Sequence, residues 1–483
     1  MTRPLPGSRP GVRITDTLDL RPAGTPERAL RRLLPIAARA SALLPGSRGP
    51  SDPGATGDGL RDLAGLFDPG AVSRLLAAAP FSGRAQARIA HVSGRAVRPG
   101  VVACVPARNE AERLPLSLSA LDAALARTGK PCAILVLVNN SADGSVDIVR
   151  AWSARASVPV LVIEARLEAS IADAGHARRL ALDLAALVAT DRAALLSTDA
   201  DTRVGRDWAR RLVGHLHAGA GAAAGMIDVE PEEFAALPER VRTVERLERG
   251  LFREHARTWR MLVPDAPQAL ALRVGGASLA VDAAAYRRVG GLPPLASSED
   301  RAMIAAMLRH DERIVFDERA TIRTSCRLEA RVADGMAGML RGRMACEDPF
   351  CDQDLHPARR FAWLCLAWHH VRNGRAGDPR GAATVAAALH VDAALLERGT
   401  APWGVAWDTL LRALPPVPRL RASEVEHELS CARALRHTLR AVGPSASVAD
   451  YTRALGAGEG LDTSEGADGG RSYGSERVRM RHA

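Results

Sequence analysis

Residues 101–110, VVACVPARNE, begin with small and β-branched apolar side chains, stop at Pro106 and turn charged within two positions. A strand buried on both faces reads as a continuous apolar run of this kind, and the abrupt polar end marks where it leaves the sheet. The event recurs at residues 193–203, AALLSTDADTR, where an apolar run ends in Asp199 and Asp201. Strand ends that turn polar on one edge of a parallel sheet are where α/β folds bind ligands. Two carboxylates separated by one residue on an extended segment point the same way. Burying such a pair is costly unless a cation compensates, and hard oxygen ligands suit magnesium or manganese, which also bridge phosphate oxygens. The two stretches predict an α/β protein that holds a phosphate ester through a divalent cation.

Outward from these anchors, apolar runs alternate with helical periodicity. Strands are expected at 101–106, 133–138, 158–163, 193–198 and 222–229, with helices around 109–127, 145–155 and 175–189. Such alternation specifies a mostly parallel sheet flanked by helices. A long amphipathic helix follows Pro238 and Glu239, with Val241, Val244, Leu247, Leu251, His255 and Trp259 spaced by three or four. Proline and an acid in the first turn are ordinary helix-start chemistry, and the apolar stripe reads as packing. Extended character resumes at 273–281 around Gly275 and Gly276, and SSEDRAMIAAMLRH opens a further helix. The expected layout is an N-terminal extension of helices and loops (1–95), a catalytic domain (96–330), a helical C-terminal region (331–455) and a disordered tail (456–483) without apolar periodicity.

The bulk numbers exclude several classes. With 483 residues the chain exceeds one core of usual size. A net charge of +10 invites a nucleic-acid reading, but Lys130 is the only lysine, aromatics make up 4% of residues, and zinc-finger, RNP and helix-turn-helix patterns are missing. Arginine-rich, lysine-poor composition reflects a GC-rich bacterial genome, so no nucleic-acid partner is expected. Seven scattered cysteines read as reduced thiols in the cytoplasm, and Cys346, Cys351 and His356 lack a C-x-x-C partner for zinc. No apolar stretch reaches the roughly 18 residues that a membrane span needs, and the N-terminus has no continuous apolar signal region.

Glu299 and Asp300 follow Ser297 and Ser298 at a helix start, where serines and acids are favoured on capping grounds alone. Their function depends on context, and the order of segments supplies it. Val105–Glu110 (VPARNE), Asn139–Ser145 (NNSADGS), Gly175–Leu182 (GHARRLAL), Asp199–Asp201 (DAD) and Val289–Asp300 (VGGL followed by SSED) appear in sequence. Over about residues 99–326 the chain resembles the family 2 glycosyltransferases of GT-A fold. The resemblance implies a nucleotide-sugar donor, a Mn or Mg ion at the aspartate pair and an acidic base. Carried over by position, Pro106, Arg108, Glu110, Asn139, Arg178, Asp199 and Gly276 would bind the donor, with Arg178 reaching its base or diphosphate. Asp201, with Asp199, would hold the metal, and Asp300, with Glu299 beside it, would be the catalytic base.

The chain departs from the family in two places: Val138 stands where an aspartate often reads the nucleotide base, and Arg179 where asparagine is frequent. A Q-x-x-R-W motif after Asp300 is missing, which favours single additions over processive synthesis onto an acceptor that is a glycan, a lipid-linked sugar or a small molecule. Two alternatives remain at this level. A sugar nucleotidyltransferase would want a glycine-rich, lysine-bearing phosphate loop after the first strand, and PARNEAERL has neither. A non-catalytic protein on a decayed transferase fold would not need to keep both the aspartate pair and the Glu299–Asp300 pair.

Overall fold

The computed structural model describes residues 62–95, 97–263, 274–328, 335–373, 379–397, 399–443 and 446–457. The expected tail, from 458 on, and the N-terminal extension through 61 lie outside the described residues. Among the described residues nine strands form one sheet: β1 (Ala85–Ser93), β2 (Val101–Ala107), β3 (Cys132–Asn139), β4 (Val160–Leu167), β5 (Ala194–Ser197), β6 (Thr202–Val204), β7 (Ala222–Val229), β8 (Leu279–Asp282) and β9 (Ile314–Thr324). Their spatial order is β1-β4-β3-β2-β5-β8-β7-β9-β6. The central strands β4, β3, β2 and β5 are parallel. β8 runs antiparallel between β5 and β7, β9 is parallel to β7, and β1 and β6 close the two edges antiparallel.

The residue pattern explains the layering. Along β2, Val101, Ala103 and Val105 join the core under one face, and Val102 and Cys104 join the core under the other, as the twofold side-chain alternation of a strand requires. Helices α1 (Leu114–Ala126) and α2 (Ser145–Ser153), with α4 (Trp208–His217), cover the first face through Leu118, Leu121, Trp152, Trp208 and Leu212. Helix α3 (Ala174–Val188) covers the second. The long α5 (Glu239–Leu262) and α6 (Glu299–Arg309) extend that second layer. The C-terminal helices α7 (Ala358–Asn373), α8 (Trp403–Ala413) and α9 (Ala422–Val442) pack onto it. Trp259 of α5, Met303 and Met307 of α6, Trp368 of α7 and Trp407 of α8 share one core.

Two features of this topology create the site. The chain leaves β2 toward β3 and β4 on one side and returns to β5 on the other, so the carboxyl ends of β2 and β5 bracket a switch point of the kind where α/β sheets bind ligands. β5 pairs with β2 only as far as Cys104, opposite Ser197, so Pro106, still paired with Leu137 of β3, sits where the β5 side has opened and no strand there needs its missing N–H. The antiparallel β8 sets Leu279 opposite Ser197 and thereby delivers Gly276 to the same edge.

Three strands escape the sequence reading. β1, N-terminal to residue 96, is an edge strand with mixed exposure and no apolar run. β6 has three residues. β9, sequence IVFDERATIRT, alternates buried and charged positions because only part of it is covered. The helix expected from residue 109 begins at Leu114, since Asn109 takes a left-handed conformation, φ 54°, that a helix cannot continue.

Candidate active site

The loops after β2 and β3 are fastened to each other. Asn109 N–H donates to Ser141 Oγ (3.0 Å), Ala142 N–H to Asn109 Oδ1 (2.8 Å), Glu110 N–H to Ser145 Oγ (3.1 Å) and Ala111 N–H to Asp143 Oδ2 (3.0 Å). Short polar side chains that bond nearby backbone are what holds such loops in one shape. Arg108 donates to the carbonyl of Ala172 (2.9 Å), which ties this wall to the loop before α3. Asn139 is buried at the end of β3 and Pro106 is half-buried near the end of β2.

Arg178, on α3, is the hub. Its Nε donates to Glu299 Oε1 (3.0 Å), Nη1 to Ser197 Oγ (2.8 Å) and to the Gly276 carbonyl (2.9 Å), and Nη2 to Asp199 Oδ1 (2.9 Å). Four of the five N–H donors that a guanidinium carries are therefore spent on protein. Arg178 thereby braces Glu299, Ser197, Gly276 and Asp199, with one Nη2 hydrogen left over. Burial opposes the charge on Arg178, but Asp199 and Glu299 outweigh it and hold the group ionised. Gly276 is required beside it: a Cβ there would stand 2.7 Å from the guanidinium carbon.

A second guanidinium sits across the crevice. Arg327, three residues beyond β9, donates to Glu110 Oε1 (2.5 Å) and Oε2 (3.2 Å) and lies 3.1 Å from Asp201 Oδ2. The pairing of Thr202 with Thr324 in β6 and β9 brings this segment alongside the aspartate pair. Glu233 pins it, accepting from Ser325 Oγ (2.8 Å) and Cys326 N–H (2.7 Å) while bound to Arg113 (2.7 Å). Burial, followed by the charges of Asp199 and Glu110, pushes the Asp201 carboxyl up to about 7 against the pull of Arg327 and Arg113.

Glu110, Asp199, Asp201, Glu299 and Asp300 thus face Arg178 and Arg327, five carboxylates against two guanidiniums. Among the described residues no three His, Cys, Asp or Glu side chains converge to hold an ion by themselves. The oxygen donors and the surplus of buried negative charge nonetheless fit a hard divalent cation bound together with a ligand that completes its shell. Asp201 and Asp199 would be the residues to hold it.

The adjacent acids Glu299 and Asp300 have separate fates. Glu299 is buried and committed to Arg178, and burial raises its pKa despite that partner. Asp300 is half-buried at the crevice and accepts from two backbone N–H groups, Gly276 (3.0 Å) and Arg301 (2.7 Å). Ser298 holds a left-handed conformation, φ 59°, with no side-chain cap, so the serines do not cap α6 as expected. Gly175 fixes the approach of this loop: a Cβ there would lie 1.9 Å from the Leu295 carbonyl oxygen.

With this geometry in place, the matches to known proteins can be stated. Residues 102–275 match the pattern of glycosyl transferase family 2. Over these residues the chain is similar to the family 2 glycosyltransferases. No curated protein matches the chain. A mannosyltransferase from Pyrobaculum calidifontis, solved with GDP-Man and Mn2+, is similar at 19% identity over 76% of this chain and 88% of that one, TM-score 0.33. TarS 1–349 of S. aureus, solved with UDP-GlcNAc, is similar at 13% identity over 76% and 93%, TM-score 0.36. Glucosyl-3-phosphoglycerate synthase of Mycobacterium tuberculosis, solved with Mn2+, UDP and phosphoglyceric acid, is similar at 14% identity over 51% and 76%, TM-score 0.30.

The crevice gathers Glu110, Arg178, Asp199, Asp201, Gly276, Glu299 and Asp300 into one hydrogen-bonded and charge-coupled network. Arg179, beside the hub, turns away to Asp183 (2.5 Å) and to the Leu292 carbonyl, and Asp183 also accepts from Tyr286 (2.6 Å). The sequence gives no sign of the parts that Arg327, Arg113 and Glu233 play here. Each is an ordinary charged residue beyond a strand or a turn, with no local spacing that announces its partner.

Proposed function

We propose that the chain is an inverting glycosyltransferase, dependent on Mn2+ or Mg2+, that moves a sugar from a nucleotide-sugar donor to an acceptor hydroxyl by single additions. The observation that carries this reading is the division of labour between neighbouring acids. Glu299 is consumed by Arg178, whereas Asp300, one residue on, keeps about half of a carboxylate's lone pairs for a proton donor after its two backbone bonds. A positioned carboxylate beside an acidic, cation-fitting pocket is what deprotonating a hydroxyl against a departing diphosphate needs.

The donor nucleotide would lie along the fastened loops of residues 107–111 and 139–145, near Pro106, Arg108 and Asn139. The acceptor oxygen forms its bond to the anomeric carbon as its proton passes to the Asp300 carboxylate. The bond from that carbon to the diphosphate oxygen breaks on the opposite side, its electron pair leaving with the nucleoside diphosphate. One displacement inverts configuration. When bound at Asp201 and Asp199, the ion would offset the charge that accumulates on the leaving group. Arg178 holds Asp199, Glu299 and the Gly276 carbonyl in fixed relation, which keeps the base at a set distance from the ion-holding pair.

None of the seven cysteines is joined in a disulfide, which supports a reducing compartment such as the cytoplasm. Among the described residues no helix is long and apolar enough to cross a membrane. The test is a panel of nucleotide sugars incubated with the full chain and Mn2+, followed for nucleoside diphosphate release. Release that disappears in Asp300→Asn while diphosphate binding persists supports the assignment. A chain that neither binds nor cleaves any donor overturns it.

A further inference from the structure

Arg327 has a position that the reaction as proposed does not use. Its guanidinium spans Glu110, which it grips at 2.5 and 3.2 Å, and Asp201, 3.1 Å away. Glu110 lies in the loop just after β2 and Asp201 in the turn after β5, so this one side chain bridges the segments beyond the two strand ends that bracket the crevice. It is also well anchored. Its backbone N–H lies 3.3 Å from Ser325 Oγ, the hydroxyl that Glu233 accepts, and Glu233 is itself held by Arg113. The side chain is 19% exposed and that of Asp201 17% exposed, so the contact is sheltered enough to count, unlike a solvated surface pair.

We propose that Arg327 is a resident counter-cation that competes with the divalent ion for Asp201. This rests on the reading of Asp201 as a metal ligand. Arg327 lies against Asp201 Oδ2 and Thr324 Oγ1 lies 3.4 Å from Oδ1, so an ion arriving at this carboxylate meets the guanidinium's charge and competes with it for the same electron density, and each answers the same need, the surplus of carboxylates at this edge. Binding of the ion releases Asp201 from Arg327, which keeps its two bonds to Glu110 and so has somewhere to remain. Two consequences follow. The free protein takes up a lone ion weakly, and the ion gains its full hold only when a diphosphate adds oxygen ligands that Arg327 does not block.

The measurement is direct titration of the full chain with Mn2+ alone, the free ion read by its electron paramagnetic resonance signal, so that no turnover is needed. Arg327→Gln should tighten Mn2+ binding by roughly tenfold or more, the size of one charge-assisted hydrogen bond. Arg203→Gln removes the same charge two residues from Asp201, but Arg203 pairs with Glu230 and not with the aspartate. It should shift affinity far less. Arg327→Lys keeps the charge in a side chain whose compact ammonium cannot fork between two carboxylates. It should bind Mn2+ several-fold more tightly than wild type, and it carries the test if the glutamine variant fails to fold. Equal shifts in Arg327→Gln and Arg203→Gln, or wild-type affinity in Arg327→Lys, overturn the competition. Asp201→Asn separates the two layers: if it abolishes Mn2+ binding while the Arg327 variants change nothing, the metal site stands and the competition fails. If Mn2+ binding is unchanged in Asp201→Asn, both fail.

Discussion

Replacing Asp201 with asparagine should stabilise the ion-free protein while removing its capacity to take up a cation. Burial, with the charges of Asp199 and Glu110 behind it, raises the Asp201 carboxyl from 3.8 to about 7. At 1.36 kcal/mol per pKa unit, the roughly three-unit rise makes ionised Asp201 cost the fold about 4 kcal/mol at most. The sign follows from which state ionises first. Near pH 3 the folded carboxyl keeps its proton and the unfolded one is only beginning to lose it, so wild type and variant differ little. Between about 4 and 7 the unfolded chain ionises while the folded one does not, and wild type steadily loses stability. Above 7 both are ionised and the loss is constant. Asparagine does not titrate, so the difference between the two proteins isolates this residue. Urea unfolding with a chelator present, repeated from pH 4.5 to 8.5, should show the variant's advantage growing and then levelling. With Mn2+ and a nucleoside diphosphate together the order should reverse, because ligand bound only to the native wild type adds stability by mass action. A variant less stable than wild type at pH 8 without metal, or an advantage that ignores pH, would refute the argument.

Other expectations are as specific. Asp300→Asn should lower turnover by roughly 10² to 10⁴ with unchanged melting temperature and nucleoside diphosphate affinity; near-normal transfer would move the base elsewhere. Arg178→Met should cost about 3–5 kcal/mol of stability, since it leaves Glu299 buried without its partner, and its denaturation midpoint reads this. Gly175→Ala should cost about 1–3 kcal/mol because its methyl meets the Leu295 carbonyl. It should also weaken turnover by displacing the loop before Asp300, a pairing that calorimetry and kinetics on one sample can check.

The parts legible in the sequence share one property: their cause is local. β2, β3, β4 and β5 follow from apolar runs, and the aspartate pair stands out because two buried like charges are expensive wherever the chain goes. Arg178 could be singled out by its motif, but its work could not, since Glu299 lies 121 residues away. The choice between Glu299 and Asp300 was closed to spacing arguments for the same reason, as it depends on which acid the hub reaches. Arg327 lies 217 residues from Glu110 and belongs to no pattern. β1 and β9 were missed because edge and half-covered strands carry polar residues that blur the period.

The shared core under the second face reaches from Leu63 to Leu455, and this bears on how the protein is made. A ribosome delivers the chain from the N-terminus, so the central strands and α6 emerge while Trp368, Trp407 and Leu455 are still unsynthesised. Met307 and Leu455 are 148 residues apart (455 − 307), which at about 5–20 residues per second leaves Met303, Met307 and Trp259 uncovered for roughly 7–30 s. Hydrophobic surface open for that long is a substrate for chaperones and a hazard for aggregation. An expression fragment cut at residue 275 or 330 would hold the nascent protein permanently in that state, so the smallest well-behaved piece should extend to about residue 457.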